Sequence, residues 1–360
     1  MRELGDILRA LEAMGPGETA VLANVVHVSG STYRRVGARL LLCADERVIG
    51  LISGGCLEGD LVARAAEVRA ADAPRLVHYD ATAEDDIVWG LGLGCAGVVD
   101  VLLEPVAPDR PGPLDWLAAW RRERATGVLA TSLVSETLGR RWALHPDGRI
   151  EGEPGAELVE AMRLAAANGR AGKVETRQGP VAIEVARPPR RLLIFGAGPD
   201  AAPVVRLALE LGWSVELVDH RPAQARADRF PGARVHLVPS EEAVARVGVD
   251  ADTYALVMTH HYLIDRALLA ELLPSPAPYL GLLGPRQRAE DLLAELAEQG
   301  LRVSAEQRAR LRAPAGVDLG GDGPEAIALS LVAEVMAVAE GRSAGWLCDR
   351  KGPIHEPGRA

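Results

Sequence analysis

One stretch constrains the fold more than any other: RLLIFGAGPDAAPVVRLALELGWSVELVDHRP, residues 191–222. An apolar run leads into a glycine-rich turn. Apolar positions then recur at helical spacing, and a second apolar run ends in an acid. Gly196, Gly198 and Ala201 satisfy G-x-G-x-x-G/A directly after a strand and at the opening of a helix, and Asp219 lies 21 residues past Gly198. The glycines allow a tight turn, the helix N-terminus favours a diphosphate, and the acid favours a ribose hydroxyl over a 2′-phosphate. NAD or another nucleotide is the ligand this pattern points to, although such turns also persist in domains that bind no dinucleotide. Further strands are expected at ARVHLVP, YALVMTH and YLGLLG, each separated by a helical pattern. That alternation predicts an α/β architecture: a C-terminal Rossmann-like, doubly wound parallel sheet over 190–345. GDGPEAIALSLVAEVMAVAEG reads as its last helix, with Pro324 in the first turn and Gly341 past the end. Residues 346–360 read as a tail.

After the fourth expected strand of this region comes THHYLID, with His260, His261 and Asp265 at the edge where such sheets bind ligands. These groups can hold a metal or shuttle a proton; equally, they can cap a strand end and face solvent. GLLGPRQR offers Gly284, Arg286 and Arg288 to an anion, or simply starts a helix.

The proline-bearing ARPPRR, 186–191, separates this region from a different grammar before it. Residues 1–187 are expected to form a mixed α+β domain, with a helix at 2–14 and strands at 19–30, GARLLLCA, RVIGLIS and 98–106. A fainter copy follows. VLA recurs at 21 and 128, LCADERVIG aligns with LHPDGRIEG, DLVARAAEV with ELVEAMRLA, and VDVLLEP with VAIEVARP. The alignment predicts an internal duplication, 19–106 and 126–187, of a strand–strand–strand–helix–strand unit. The second copy has neither a cysteine nor the sequence SGGC.

Composition removes some functions. The net charge is −10, and no Lys/Arg block forms a phosphate-tracking stripe, which argues against nucleic acid as a partner. No window approaches 18 uninterrupted apolar residues and the first helix carries acids, so neither a membrane span nor a signal peptide is expected. The four cysteines, Cys43, Cys56, Cys95 and Cys348, form no CxxC pair, so a disulfide framework or zinc knuckle is not expected and a reducing, cytoplasmic setting is.

In LISGGCLEGDLVARA, 51–65, Cys56 stands behind Gly54 and Gly55 and ahead of Glu58 at a helix start. Bare amides and a helix N-terminus stabilise a thiolate, which suits a nucleophile, a sulfur carrier or a soft-metal ligand. A lone cysteine can also be a small core residue. Glu58 can take a proton, orient a ligand or simply partner the helix dipole. SGSTYRR, 29–35, offers Arg34 and Arg35 to an anionic group such as phosphate, or forms an ordinary polar turn. GLGLGCAG, 90–97, packs glycines, Gly94 among them, around Cys95, which suggests close backbone approach to a ligand. Cys43 lies within an apolar strand and reads as packing.

Taken together, GSTYRRVGARLLL, GLISGGCLEGD, WGLGLGCAGVVDVLLEP, LLIFGAGPDA, VMTHHYLID and YLGLLGPRQR resemble the XdhC/CoxI family over about 20–345. These are accessory proteins for the maturation of molybdenum hydroxylases such as xanthine dehydrogenase and CO dehydrogenase. The resemblance implies a chaperone that binds molybdenum cofactor (molybdopterin), supports its sulfuration and passes it to an apo-hydroxylase, with a cysteine desulfurase as a further partner. Cys56 matches the family's GGC cysteine, a candidate molybdenum ligand, and Cys95 matches its GLGC cysteine. A homodimer is the expected assembly. Two rival readings remain open at this stage. One is an NAD-dependent oxidoreductase using the Rossmann turn and the His260/His261 pair. The other is a redox sensor using Cys56 and Cys95 as a switch.

Overall fold

The computed structural model describes residues 2–81, 97–110, 112–351 and 354. The chain divides into two compact units whose main segments are Glu3–Pro188 and Pro189–Gly352.

In the first unit, helix α1 (Arg2–Glu12) precedes β1 (Ala20–Gly30), β2 (Arg39–Leu42), β3 (Val48–Gly50), α2 (Glu58–Ala71), β4 (Arg75–Asp80) and β5 (Gly97–Val106). After α3 (Pro113–Glu123) the same order returns as β6 (Gly127–Ser132), β7 (Arg141–Leu144), β8 (Ile150–Glu151), α4 (Ala156–Asn168), β9 (Gly172–Thr176) and β10 (Gly179–Ala186). The two sheets run β3-β2-β1-β5-β4 and β8-β7-β6-β10-β9, with every pair antiparallel. Each set therefore has five strands, where the sequence pattern suggested four. The extra ones, β4 (RLVHYD) and β9 (GKVET), are edge strands with mostly exposed or half-buried residues. They carry too few apolar residues to announce themselves.

Strand alternation sends β1 and β5 side chains to two different cores. Val21, Ala23, Val25, Val101 and Leu103 pack under Leu57, Leu61, Ala65 and Val68 of the α2 segment. On the other face, Val26 and Leu102 meet Leu133 and Ala182 of the second set, while α1 and α3 contribute Ile7, Leu11, Leu117 and Trp120 beside Leu22, Leu41 and Ala143. Helix α4 covers the outer face of the second sheet through Leu158, Met162 and Ala165.

The two sheets also exchange charges. Arg39 of β2 donates from Nη2 to both carboxylate oxygens of Glu184 in β10, at 2.7 and 2.6 Å, and from Nη1 to Gly37 O. Arg141 of β7 makes the counterpart bonds, from Nη2 to Glu104 in β5 and from Nη1 to Gly139 O. Glu104 faces Leu22 across its sheet as Glu184 faces Leu129 across the other, so the positions correspond. All four side chains are close to fully buried.

The second unit is a six-stranded parallel sheet, ordered β13-β12-β11-β14-β15-β16. Its strands are β11 (Arg191–Phe195), β12 (Ser214–Asp219), β13 (Arg234–Leu237), β14 (Thr253–Val257), β15 (Tyr279–Leu282) and β16 (Leu311–Arg312). Alternate β11 residues face opposite ways. Leu193 and Phe195 join α7 (Tyr262–Leu272) and α8 (Arg286–Glu298), with α6 (Ala243–Val247) at the edge. Leu192 and Ile194 join α5 (Ala201–Glu210) and α10 (Pro324–Ala339). A short α9 (Ala305–Arg310) leads into β16. Burial on both faces explains the unbroken apolar runs that made this sheet legible. No described helix is long and apolar enough to cross a membrane.

Candidate functional site

The connection from β3 to α2 spans residues 51–57, whereas its counterpart from β8 to α4 spans only 152–155. The longer one is organised around two side chains. Glu58 Oε1 accepts the amides of Ser53 at 2.8 Å and Ile52 at 3.3 Å, and its other oxygen takes the Ser53 hydroxyl at close range. Ser53, itself buried, accepts the amides of Gly55 at 3.2 Å and Leu57 at 3.0 Å on that same hydroxyl oxygen. Burial opposes charge on Glu58, but the hydroxyl and amide of Ser53 outweigh it and hold the carboxyl below the usual glutamate range. Glu58 is thus an anionic clamp on its own loop.

Cys56 rides on this clamped corner as a free, half-buried thiol. With Val28, Tyr79 and Val99 it borders the core under α2, and these three face one another across β1, β5 and β4. Space lies open in front. A Cβ placed on Gly54 or Gly55 would meet nothing within 4 Å, and Gly55 adopts a φ of +110°, which disfavours any side chain. Behind the corner, the Tyr79 hydroxyl donates to Asp60 at 2.6 Å and ties the first turn of α2 to β4, and burial pushes the phenol well above its ordinary value.

The other motifs of the first sheet gather at this end. β1 closes at Gly30, opposite Gly97. A Cβ on Gly97 would stand 2.7 Å from Ser29 O and 2.6 Å from Ser31 O, so the SGST turn presses directly on the first residue of β5. The Ala81 amide donates to Gly97 O at 3.0 Å. The two arginines of the turn differ. Arg34 donates to Glu3 Oε2 at 2.6 Å, while Glu3's other oxygen takes the Arg39 amide. The Arg35 side chain has no partner among the described residues and remains available to an anion. Gly94 and Cys95 lie outside the described residues. Cys43 is buried one residue past the end of β2, where burial raises its thiol above the usual range, and Cys348 is exposed. Among the described residues, no group of three or more His, Cys, Asp and Glu side chains is arranged to hold a metal ion.

In the parallel sheet the strand order reverses between β11 and β14, the place where such folds open a crevice. A cleft of about 280 Å³, including space open to solvent, lies there, lined by Gly196, Asp219, His220, Arg221, Ser240 and Thr259 among others. Asp219 accepts the Ala197 amide at 2.7 Å and three N–H groups of Arg221, from its amide, Nε and Nη2, at 2.9, 2.9 and 2.7 Å. Burial works against its charge, and these bonds hold the carboxyl below its ordinary range nonetheless.

The THHYLID groups do not converge. His260 has a φ of +58°, and its Nε2 lies 2.8 Å from Asp200 Oδ2 at the start of α5. His261 caps α7 by accepting the Ile264 amide at 3.4 Å. Asp265 is buried, where it takes the Thr259 hydroxyl and the Arg288 guanidinium, and Arg288 also lies over the Tyr262 ring. Adjacency in sequence gave three separate duties.

Sequence reasoning missed Ser53, Arg221 and Ser240. Ser53 stands directly before the glycine pair and five residues ahead of Glu58, wider than the three-residue spacing of a capping box, so no standard pattern marks it. Arg221 sits two residues past the acid that drew attention.

Comparison with known proteins follows the same division. Residues 192–335 match the XdhC Rossmann domain, and 13–80 match the XdhC and CoxI family. The chain is 32% identical over 320 residues to a protein of Bacillus subtilis named as a probable xanthine dehydrogenase subunit, covering 89% of this chain and 93% of that protein. It is 26% identical to the molybdenum cofactor insertion chaperone PaoD of Escherichia coli, over 92% of this chain and 87% of the relative. The crystal structure of a xanthine dehydrogenase from Bacillus halodurans superposes with a TM-score of 0.77 at 30% identity, covering 96% of this chain and 98% of that one. On sequence, length and fold, the chain belongs to the XdhC and CoxI family.

Proposed function

We propose that this protein is an accessory chaperone that binds molybdenum cofactor at the Cys56 corner and delivers it to a xanthine dehydrogenase-type hydroxylase. The observation that carries the reading is the clamp: Ser53 and Glu58 take up the amides of residues 52, 53, 55 and 57 and hold a half-buried thiol beside open, glycine-lined space. A single thiol suits a soft metal that arrives with its other ligands, as a dithiolene-bound metal does. Arg35, half-buried and without a described partner, is the cation for the cofactor's phosphate. Glycines admit the bulk of the pterin. The names of the relatives support the reading: one is that of a xanthine dehydrogenase component, another that of a molybdenum cofactor insertion chaperone.

The proposal includes support of sulfuration with a cysteine desulfurase as donor, a role for Gly94 and Cys95 in cofactor binding, a homodimer and a cytoplasmic setting. It also takes the two five-stranded sets as products of an internal duplication. The oxidoreductase reading is not favoured, because His261 and Asp265 serve the fold and His260 is paired with Asp200.

The test is molybdenum and pterin content per protein after anaerobic co-expression with a molybdenum cofactor pathway. Near-stoichiometric content in the intact protein, lost in Cys56→Ala, is the expected result. Content that Cys56→Ala leaves unchanged, or none in either protein, overturns it.

A further inference from the structure

We infer that the crevice of the parallel sheet binds a nucleotide selected by a phosphate on the 2′ side of its ribose, held at Arg221, His220 and Ser240, rather than by a diphosphate laid across the glycine-rich turn. This concerns the second unit alone and does not depend on the cofactor reading.

Three observations lead there. The turn has few donors left for a diphosphate. The Gly196 amide donates to Val218 O at 2.9 Å and the Ala197 amide to Asp219, while those of Ala201 and Ala202 donate to Gly198 O and Pro199 O at 3.2 and 3.3 Å. Pro199 has no N–H. Only the amides of Gly198 and Asp200 remain, and a carboxylate already stands beside them. Asp200 Oδ1 lies 2.5 Å from where a Cβ on Gly198 would be, and Oδ2 faces His260. A diphosphate laid here meets a like charge at the helix end that should attract it.

The second observation is the state of Asp219. A carboxylate offers about four acceptor sites, and the four N–H groups from Ala197 and Arg221 occupy them. The side chain is only 2% exposed. It has nothing to offer a ribose hydroxyl, so the acid that suggests NAD from sequence acts here as a bracket for an arginine.

The third is what that bracket presents. The Arg221 side chain is 43% exposed and lines the cleft. Nε and one Nη2 hydrogen are fixed by Asp219, which leaves the Nη1 pair and one Nη2 hydrogen as donors in a plane that cannot swing away. The exposed His220 and the Ser240 hydroxyl stand on the same lining. A fixed guanidinium with three N–H groups left over, beside an imidazole and a hydroxyl at the ribose end of a nucleotide crevice, suits a phosphate.

The experiment is calorimetric titration of the full chain with 2′-AMP, 5′-AMP, NADP+ and NAD+. The 2′-phosphorylated member of each pair is expected to bind about tenfold tighter, the size of one charge-assisted hydrogen bond. Arg221→Met should bring both ratios to one or below, because it removes the phosphate's donors and frees Asp219 to accept a ribose hydroxyl. Because that change also frees Asp219, Ser240→Ala serves as a second variant, expected to weaken only the 2′-phosphorylated ligands. Asp200→Asn should strengthen NAD+ binding and reduce the preference. Equal or tighter binding of NAD+, ratios that neither Arg221→Met nor Ser240→Ala alters, or no binding by any of the four would overturn the inference.

Discussion

The two five-stranded sets of the first unit share strand order, helix position and even the arginine that crosses to the opposite glutamate. They differ at the corner that leads into the helix. Between β3 and α2 the chain runs through SGGCLE and wraps its amides around Ser53 and Glu58; between β8 and α4 it passes directly through GEPG. The second set holds with the shorter connection, and the buried apolar packing that the longer one adds is confined to Ile52 and Leu57 at the edge of the core under α2. What the longer corner adds is a thiol, open space and fixed amides, which is why chemistry is assigned there and not to the second set.

The comparison can be broken most decisively by transplant. Replacing 51–57 with the residues of 152–155 is expected to keep the fold, read by circular dichroism, and to abolish cofactor content. Retained content would remove the corner from the function. Next come the exchanged charges. Arg39→Ala or Arg141→Ala strands a buried carboxylate, and each is expected to cost about 3–5 kcal/mol in urea denaturation. Replacing both partners, as in Arg39→Met with Glu184→Leu, should recover most of that. Unequal losses between the two arginines would show that the sets are less alike in energy than in geometry.

Ser53→Ala has no counterpart in the second set. It removes the acceptor of two amides and a donor to Glu58, an expected loss of about 1–3 kcal/mol, with faster alkylation of Cys56 as the local signature. The smallest effect is on pH. Glu58 has a folded pKa below its unfolded one, so its contribution is complete above the ordinary glutamate value and disappears as pH falls through the folded value. Hydrogen exchange at the Gly55 and Leu57 amides should rise in that acid window, relative to the intrinsic rate, while amides near 152–155 stay unchanged.

Much of this was legible in the sequence because burial writes periodicity. The parallel sheet, covered on both faces, produced apolar runs and a glycine turn that located it closely. The corner was legible through Gly54, Gly55 and Cys56, whose types are unusual for a helix start. Other features left no trace. β4 and β9 are edge strands with little to bury. Glu58 reads as a candidate base until its bonds to Ser53 are seen. Asp219 reads as a ribose acceptor until its fourfold engagement is seen. Arg39 and Glu184 stand 145 positions apart, and no local pattern can announce a pair made by the meeting of two sheets.

That pair and its counterpart have a consequence for how the unit forms. Each set holds the counter-charge of the other, the reciprocal arrangement of a two-fold dimer interface, here within one chain. Neither set completes its native interior while the other is unfolded, because the face that carries its arginine and glutamate is covered by the other set and would otherwise stand in water. Folding of the two is therefore one cooperative event, and a chain severed between β5 and α3 should yield fragments that regain structure only when mixed.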